Sequence, residues 1–158
     1  MRLSTKGRYA VMAMVDLAQH SGGDPISLAE IAERQEISLS YLEQLFAMLR
    51  KGGLVKSVRG PGGGHLLAHD RSETRIADII LAVDEPIKAT RCTEMGQQGC
   101  RADRSKCLTH DLWEELGNQI HTFLNSVTLL DVLERRLASR IAEAPAAANN
   151  DSSMAAAS

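Results

Sequence analysis

Four residues with metal-binding side chains lie close together in the second half of the sequence. Cys92, Cys100, Cys107 and His110 fall within nineteen positions, separated by seven, six and two residues. Three thiolates and an imidazole form a full tetrahedral set for zinc, although structural zinc sites usually contain a closely spaced cysteine pair that is missing here. Iron-sulfur clusters accept wider spacing and histidine ligation. The spacing alone leaves zinc and a cluster as alternatives.

A catalytic use of these residues is the weakest alternative. Cys107 and His110 could act as a nucleophile and its base, but no third group that would orient them can be identified. We therefore predict that the chain is not an enzyme. The remaining histidines are isolated from any ligand set, and we expect surface or satisfied interior side chains at His20, His65, His69 and His121.

The composition limits the class of protein and its compartment. The chain has 158 residues, of which 44% are hydrophobic and 24% charged, as in a soluble globular protein. No apolar run approaches the ~18 residues of a membrane span, and no secretory signal is apparent. Three cysteines cannot form a fully paired disulfide framework. We expect a cytoplasmic protein with reduced thiols and no membrane partner.

Helical periodicity and capping residues predict the elements that must position these groups. Helices are expected from Thr5 to about Gln19, from Ser27 to Gln35, from Ser38 to Lys51 and around residues 76–83. Strands over 54–58 and 65–68 flank a glycine-rich tip and form a hairpin. The predicted fold is mainly α with a small β-hairpin, in the order of a winged helix-turn-helix.

The outer face of the third predicted helix is suited to DNA bases. Ser40, Glu43, Gln44 and Ala47 share that face, with Tyr41 beside them. Glutamate can accept a hydrogen bond from cytosine and glutamine can pair with adenine. The net charge of −2 argues against a nucleic-acid binder, yet residues 1–75 carry a balance of +2. A solvated helix face, or a winged-helix protein-interaction module, is the alternative.

A long amphipathic helix is predicted in the C-terminal part. Apolar residues keep helical spacing from Leu112 to Ile141, over roughly thirty residues. A helix of this length needs a partner, and we expect the same helix of a second subunit, with packing on its own domain as the alternative. The sequence from Ala144 onward lacks core-forming residues and is expected to be disordered.

Four stretches of the sequence together carry a family resemblance. They are MRLSTKGRYA at 1–10, ISLSYLEQLF at 37–46, VRGPGGG at 58–64 and CLTH at 107–110. The chain from residue 1 to about 130 resembles the IscR family of iron-sulfur cluster regulators. The resemblance implies a homodimeric winged-helix transcription factor, mainly a repressor of iron-sulfur cluster assembly genes, whose labile 2Fe-2S cluster selects the operators that are bound.

Carried over by position, the resemblance assigns a role to individual residues. The cluster ligands are Cys92, Cys100, Cys107 and His110. The major-groove readers are Ser40, Glu43 and Gln44, and the minor-groove wing is Arg59 with Pro61 and Gly62. From their place on the same predicted helix, Ser38, Tyr41 and Arg50 are added to the predicted DNA-binding residues. The cysteine spacing is longer than the family pattern, around residues 94–98, so the geometry of the loop does not carry over. Position 65, usually aromatic in the family, is histidine here.

The predicted organisation has four parts. A winged helix-turn-helix domain spans 1–84, a cluster-binding loop 85–108, a dimerisation helix 109–141 and a disordered tail 142–158. The expected partners are double-stranded operator DNA, a second copy of the chain and cluster donors of the iron-sulfur assembly machinery. The alternative is a zinc-stabilised winged-helix module that binds DNA or protein without sensing a cluster.

Overall fold

The computed structural model describes residues 4–85, 87 and 105–137. This part of the chain comprises α1 (Thr5–His20), α2 (Leu28–Gln35), α3 (Leu39–Lys51), β1 (Val55–Val58), β2 (Gly64–Leu67), α4 (Ile76–Ala82), α5 (His110–Ser126) and α6 (Leu129–Leu133). The mainly α fold with a two-stranded hairpin is as predicted. None of these helices combines the length and the apolar character needed to cross a membrane.

Capping residues begin α2 and α3 where the sequence predicts them. The Ser27 hydroxyl accepts a hydrogen bond from the Glu30 amide, and the Glu30 carboxylate accepts one from the Ser27 amide, which completes a capping box. The Ser38 hydroxyl accepts from the amide of Tyr41 at 3.2 Å. These caps satisfy amides that have no partner within a helix, and so they determine where α3 begins.

The core of the winged domain lies where α1, α3 and α4 meet. Met14 and Leu17 of α1 and Ile79 of α4 have no exposed surface. From α3, four apolar residues at helical spacing enter the same cluster: Leu42, Leu45, Phe46 and Leu49. Burial of each such side chain contributes about 1.5–3 kcal/mol, so the inner face of α3 is held firmly and its outer face is left to solvent.

The hairpin is joined to the helical domain through its second strand. β1 pairs antiparallel with β2, from Val55 opposite Leu67 to Val58 opposite Gly64. The backbones of His65 and Ile26 exchange hydrogen bonds of 2.7 and 3.0 Å. A Cβ at Gly64 would lie 2.4 Å from the Ile26 carbonyl oxygen, so this close approach requires glycine.

The prediction of one continuous helix of about thirty residues is wrong. α5 ends at Ser126, and Val127 is extended. The Val127 carbonyl accepts a hydrogen bond from the Ile76 amide, and Thr128 caps the short helix α6 through a capping box with Asp131. Val127 and Leu129 are buried in the core of the winged domain. The alternative of packing on its own domain therefore applies to residues 127–133.

Several sequence predictions fall outside the described residues. Cys92, Cys100 and most of the predicted cluster-binding loop lie there, as do Ile141 and the predicted disordered tail over 142–158. The boundaries of the four predicted parts stay predictions, apart from the break in the helix at Val127.

Candidate functional site

The outer face of α3 is exposed as a unit. Ser40, Glu43, Gln44 and Ala47, named here the reading face, are all exposed, whereas the opposite face of the helix is buried. Ser38 and Arg50 are exposed at the two ends of α3. A polar helix face held by a rigid core is the geometry with which a helix-turn-helix contacts base edges in the major groove.

Tyr41 lies at the edge of the reading face and packs on α1. Its ring meets that of Tyr9 edge-on, with centroids 6.1 Å apart and planes at 80°. Tyr41 is accordingly half-buried. This contact fixes the ring beside the reading face, where its hydroxyl is suited to a phosphate contact.

The tip of the hairpin is narrow because it consists largely of backbone. Arg59, Pro61 and Gly62 are all exposed there, as the sequence predicts for a wing. Gly62 adopts a φ of 73°, and the Gly63 amide donates to the Gly60 carbonyl at 2.9 Å to close the turn. A tip without bulky side chains can enter a minor groove, where the narrow width attracts arginine.

A cleft of about 330 Å³ lies between α3 and the wing. This wing cleft is lined by Leu28, Glu43, Phe46, Arg50, Ser57 and His65. The His65 ring meets Phe46 edge-on at a centroid distance of 4.9 Å. Burial, and the nearby Arg50 guanidinium, lower the pKa of His65.

The environment of His65 differs from the surface or satisfied interior position that the sequence predicts. Its Nδ1 atom is buried and has no hydrogen-bond partner. Among the residues that the structure describes, no other buried side-chain nitrogen or oxygen lacks one. It is therefore not a satisfied interior histidine. The only signal in the sequence was a histidine at a position that is usually aromatic in the resembling family.

A buried carboxylate fixes α2 against α1. The side chain of Asp16 has no exposed surface, and it accepts hydrogen bonds from Arg34 at 2.6 Å and Gln35 at 2.7 Å. Burial alone would raise the pKa of Asp16, but these hydrogen bonds and the Arg34 charge hold it below its ordinary value. The angle between α1 and α2 sets the position from which α3 starts.

Two of the four predicted metal ligands lie in one turn at the start of α5. The residues from Cys107 to His110, named here the ligand turn, include a hydrogen bond from the His110 amide to the Cys107 carbonyl at 3.0 Å. His110 is 5% exposed and Cys107 is half-buried. Both side chains can bind a metal, and both are partly shielded from solvent. Cys92 and Cys100 lie outside the described residues.

Sequence reasoning missed the acidic side chains beside the ligand turn. His110 Nε2 lies 3.7 Å from a carboxylate oxygen of Glu114, one helical turn further along α5. Asp111 brings a third potential ligand atom within 4.8 Å of the other two. Spacing of i and i+4 on a helix was the available signal for the His110 and Glu114 pair.

α5 carries apolar side chains in two directions. Gly117 is buried and Leu124 packs against the core of the winged domain. Leu112, Leu116 and Phe123 lie on another face of α5 and are exposed. The exposed fraction is 61% for Leu112 and 40% for Phe123. Large apolar side chains grouped on one exposed helix face are typical of an interaction surface.

The chain is similar in sequence to known transcriptional regulators. The family model described as an iron-dependent transcriptional regulator, Rrf2, matches residues 3–135. The HTH-type transcriptional regulator IscR of Serratia proteamaculans is 56% identical over 136 residues, which cover 86% of this chain and 81% of that protein. IscR of Yersinia pestis is 55% identical over the same length, with the same shares covered.

Solved structures show the same architecture. The structure of T. potens IscR has a TM-score of 0.70 and 41% identity, covering 91% of this chain and 94% of that one. CymR, the global cysteine regulator of B. subtilis, has a TM-score of 0.72 and 34% identity, covering 85% and 98%. These relatives are transcriptional regulators and not enzymes, in agreement with the sequence prediction. The chain therefore belongs to the Rrf2 family of iron-dependent transcriptional regulators.

Proposed function

We propose that this regulator is a cytoplasmic homodimer that binds operator DNA, mainly as a repressor of iron-sulfur cluster assembly genes, and that a 2Fe-2S cluster controls its DNA binding. The observation that carries the proposal is the joint exposure of the reading face and the wing tip on a rigid domain. The relatives named IscR support the same function.

The reading face supplies the base contacts. Glu43 accepts a hydrogen bond from a cytosine amino group, and Gln44 pairs with adenine. Ser38, Ser40 and Tyr41 donate to phosphates and set the register of the helix in the groove. Arg50 adds a phosphate contact at the end of α3. At the wing, Arg59 enters the minor groove, and Pro61 and Gly62 keep the tip narrow enough to follow it.

The donor set fits a 2Fe-2S cluster. Cys92, Cys100, Cys107 and His110 would hold it, and the buried position of His110 shields a ligand from bulk water. When bound, the cluster would link Cys92 and Cys100 to Cys107 and His110 through bonds that are sensitive to oxidation and, at the histidine, to acid. Cluster donors of the iron-sulfur assembly machinery would load it.

The ligand turn is mechanically connected to the DNA-binding domain. It begins α5, and α5 packs on α4. The far end of α5 enters the core at Val127, which accepts a hydrogen bond from the Ile76 amide, the first residue of α4. Binding or loss of the metal centre at Cys107 and His110 can therefore change the position of α5 relative to the winged domain.

A second copy of the chain would cover the exposed face of α5. Leu112, Leu116 and Phe123 place exposed apolar side chains on this face, which also includes Gln119. A twofold interface would pair this face with itself and set the spacing of the two reading faces on the DNA.

The test of this function is a comparison of two cluster states. Duplexes would be selected from random DNA with the full chain, and the affinity of each would be measured by fluorescence anisotropy before and after removal of the cluster. We expect at least one class of duplex to lose about tenfold or more in affinity. Equal affinity in both states for every selected duplex would overturn cluster control. A colourless protein that contains zinc and still binds DNA would favour the zinc-stabilised module.

A further inference from the structure

The wing cleft contains three hydrogen-bond donors next to the predicted DNA surface. Arg50 comes from α3, Ser57 from β1 and His65 from β2. Glu43, which belongs to the reading face, lines the same cleft. A duplex that contacts both the reading face and the wing must therefore pass a sugar-phosphate strand across the mouth of this cleft, because the cleft separates those two elements.

We propose that the wing cleft binds a phosphate of the DNA backbone, and that His65 donates a hydrogen bond to this phosphate and takes up a proton when it binds. The inference rests on the proposed DNA-binding function and deepens it. His65 then makes operator binding dependent on pH, independently of the cluster.

The surroundings of His65 determine which ring nitrogen is available. Nδ1 is buried and has no partner, and the ring packs against Phe46 in an edge-to-face arrangement. An unpartnered acceptor nitrogen costs less than a buried N–H without an acceptor, so the neutral ring carries its proton on Nε2. In the neutral ring Nε2 is thus the donor. The second proton goes to Nδ1, where the N–H has no acceptor. This cost adds to burial in disfavouring the imidazolium until the charge of a phosphate offsets it.

The charges around His65 set the direction of the effect. Burial of the ring and, from α3, the Arg50 guanidinium disfavour the imidazolium, and the Glu43 carboxylate of α3 lines the same cleft. β1 contributes Ser57 and α2 contributes Leu28, neither of which is charged. A phosphate within this cleft adds negative charge beside both cations, so the pKa of His65 in the complex exceeds that in the free protein.

This difference in pKa makes the affinity for DNA higher at low pH. DNA binding takes up a proton between the two pKa values, so the affinity is highest below the pKa of the free protein. It is lost as the pH rises through the pKa of the complex. The gain is about tenfold for each unit by which DNA raises the pKa of His65.

The experiment measures affinity against pH for the full chain and a selected operator duplex. The visible spectrum is recorded at each pH so that only samples of equal cluster occupancy are compared. We expect wild type to bind about tenfold more tightly at pH 6 than at pH 8. His65→Phe, which keeps the aromatic contact with Phe46, and His65→Gln, which cannot titrate, would lose this dependence. His69→Gln, at an exposed histidine two residues after the end of β2, would retain it.

Two further readouts distinguish a phosphate contact from an indirect effect. The salt dependence of wild-type binding should be steeper at pH 6 than at pH 8 by about 0.9 in log–log slope, the value for one additional phosphate contact. The His65 ring signals in NMR should show a higher pKa in the complex. Equal affinity at both pH values, or an unchanged dependence in His65→Phe, would overturn the proposal alone. Failure to bind any duplex at either pH would overturn the proposed function as well.

Discussion

The Ile76 amide donates a hydrogen bond of 2.9 Å to the Val127 carbonyl, and this bond joins the start of α4 to the end of α5. A second bond, from the Leu129 amide to the Thr74 carbonyl at 3.0 Å, reinforces the junction. The far end of α5 is thereby anchored in the winged domain, while its near end carries Cys107 and His110. Movement of the ligand turn therefore acts on a helix with one fixed end.

Replacing Glu43 with alanine tests the reading face. The variant should lose preference at one base pair by about 1–3 kcal/mol, because the cytosine amino group loses its acceptor. Selection from random duplexes, with wild type and variant in parallel, measures this preference. Glu33→Ala, at an exposed glutamate on α2, is the control and should select the wild-type sequence. An unchanged selection profile in Glu43→Ala would remove this residue as a base reader.

The effect of Gly7→Ala on stability should change sign when Glu85 is removed. The Glu85 carboxylate accepts hydrogen bonds from the Gly7 amide and from Ser4, and a Cβ at Gly7 would collide with it. Gly7→Ala should destabilise wild type by about 1 kcal/mol, because loss of charged hydrogen bonds outweighs the gain in helix propensity. In a Glu85→Ala background it should stabilise the chain by about 0.5–1 kcal/mol. Urea unfolding of the four proteins measures both values, and equal effects in the two backgrounds would contradict the contact.

Asp16→Asn tests the buried ion pair between α1 and α2. Loss of one partner should cost about 3 kcal/mol, the lower end of the range for buried pairs, since Arg34 is partly exposed. The pKa of Asp16 is lowered in the folded protein, so its contribution is present above the ordinary aspartate pKa and is lost as the pH falls through the folded pKa. Urea unfolding at several pH values should show the difference between wild type and variant shrinking on acidification. Asp24→Asn, at an exposed position, is the control; a difference independent of pH would argue against the charge.

Leu112→Lys tests the predicted dimer face. A charge within an apolar interface is costly to bury, so the variant should shift from dimer to monomer in sedimentation experiments. Asn118→Lys adds the same charge on an exposed part of α5 away from the predicted dimer face and should remain dimeric. A dimeric Leu112→Lys protein would mean that another surface holds the two copies together.

Cys92→Ala tests whether the metal site is needed for the fold. The winged domain has its own core, so the variant should lose the cluster absorbance and keep its helical circular dichroism. Cys107→Ala should behave in the same way, because it removes a predicted ligand from the turn that begins α5. A collapse of the helical signal in Cys92→Ala would instead identify a structural metal.

Local signals explain why the helices of the winged domain were predicted almost to the residue. Ser27 with Glu30, and Ser38, carry the start of α2 and α3 in their own side chains. The reading face followed from the same periodicity, because the residues opposite a buried helical face must be exposed.

The break at Val127 was not predictable from periodicity. The apolar side chain of Val127 continues the helical spacing. Its backbone carbonyl, however, accepts a hydrogen bond from Ile76, about fifty positions earlier in the sequence. Thr128 and Asp131 form a capping box, which was the local signal for a new helix. The wing cleft was likewise hidden, since Phe46 and His65 meet only when the hairpin folds onto α3.

Control by an iron-sulfur cluster is tested most directly by a visible absorption spectrum, with iron, sulfide and zinc analysis, of protein purified without oxygen. We expect a red-brown protein with about two irons and two sulfides per chain, which Cys92, Cys100, Cys107 and His110 would hold. A colourless protein with one zinc per chain would leave the DNA-binding domain in place and contradict control by an iron-sulfur cluster.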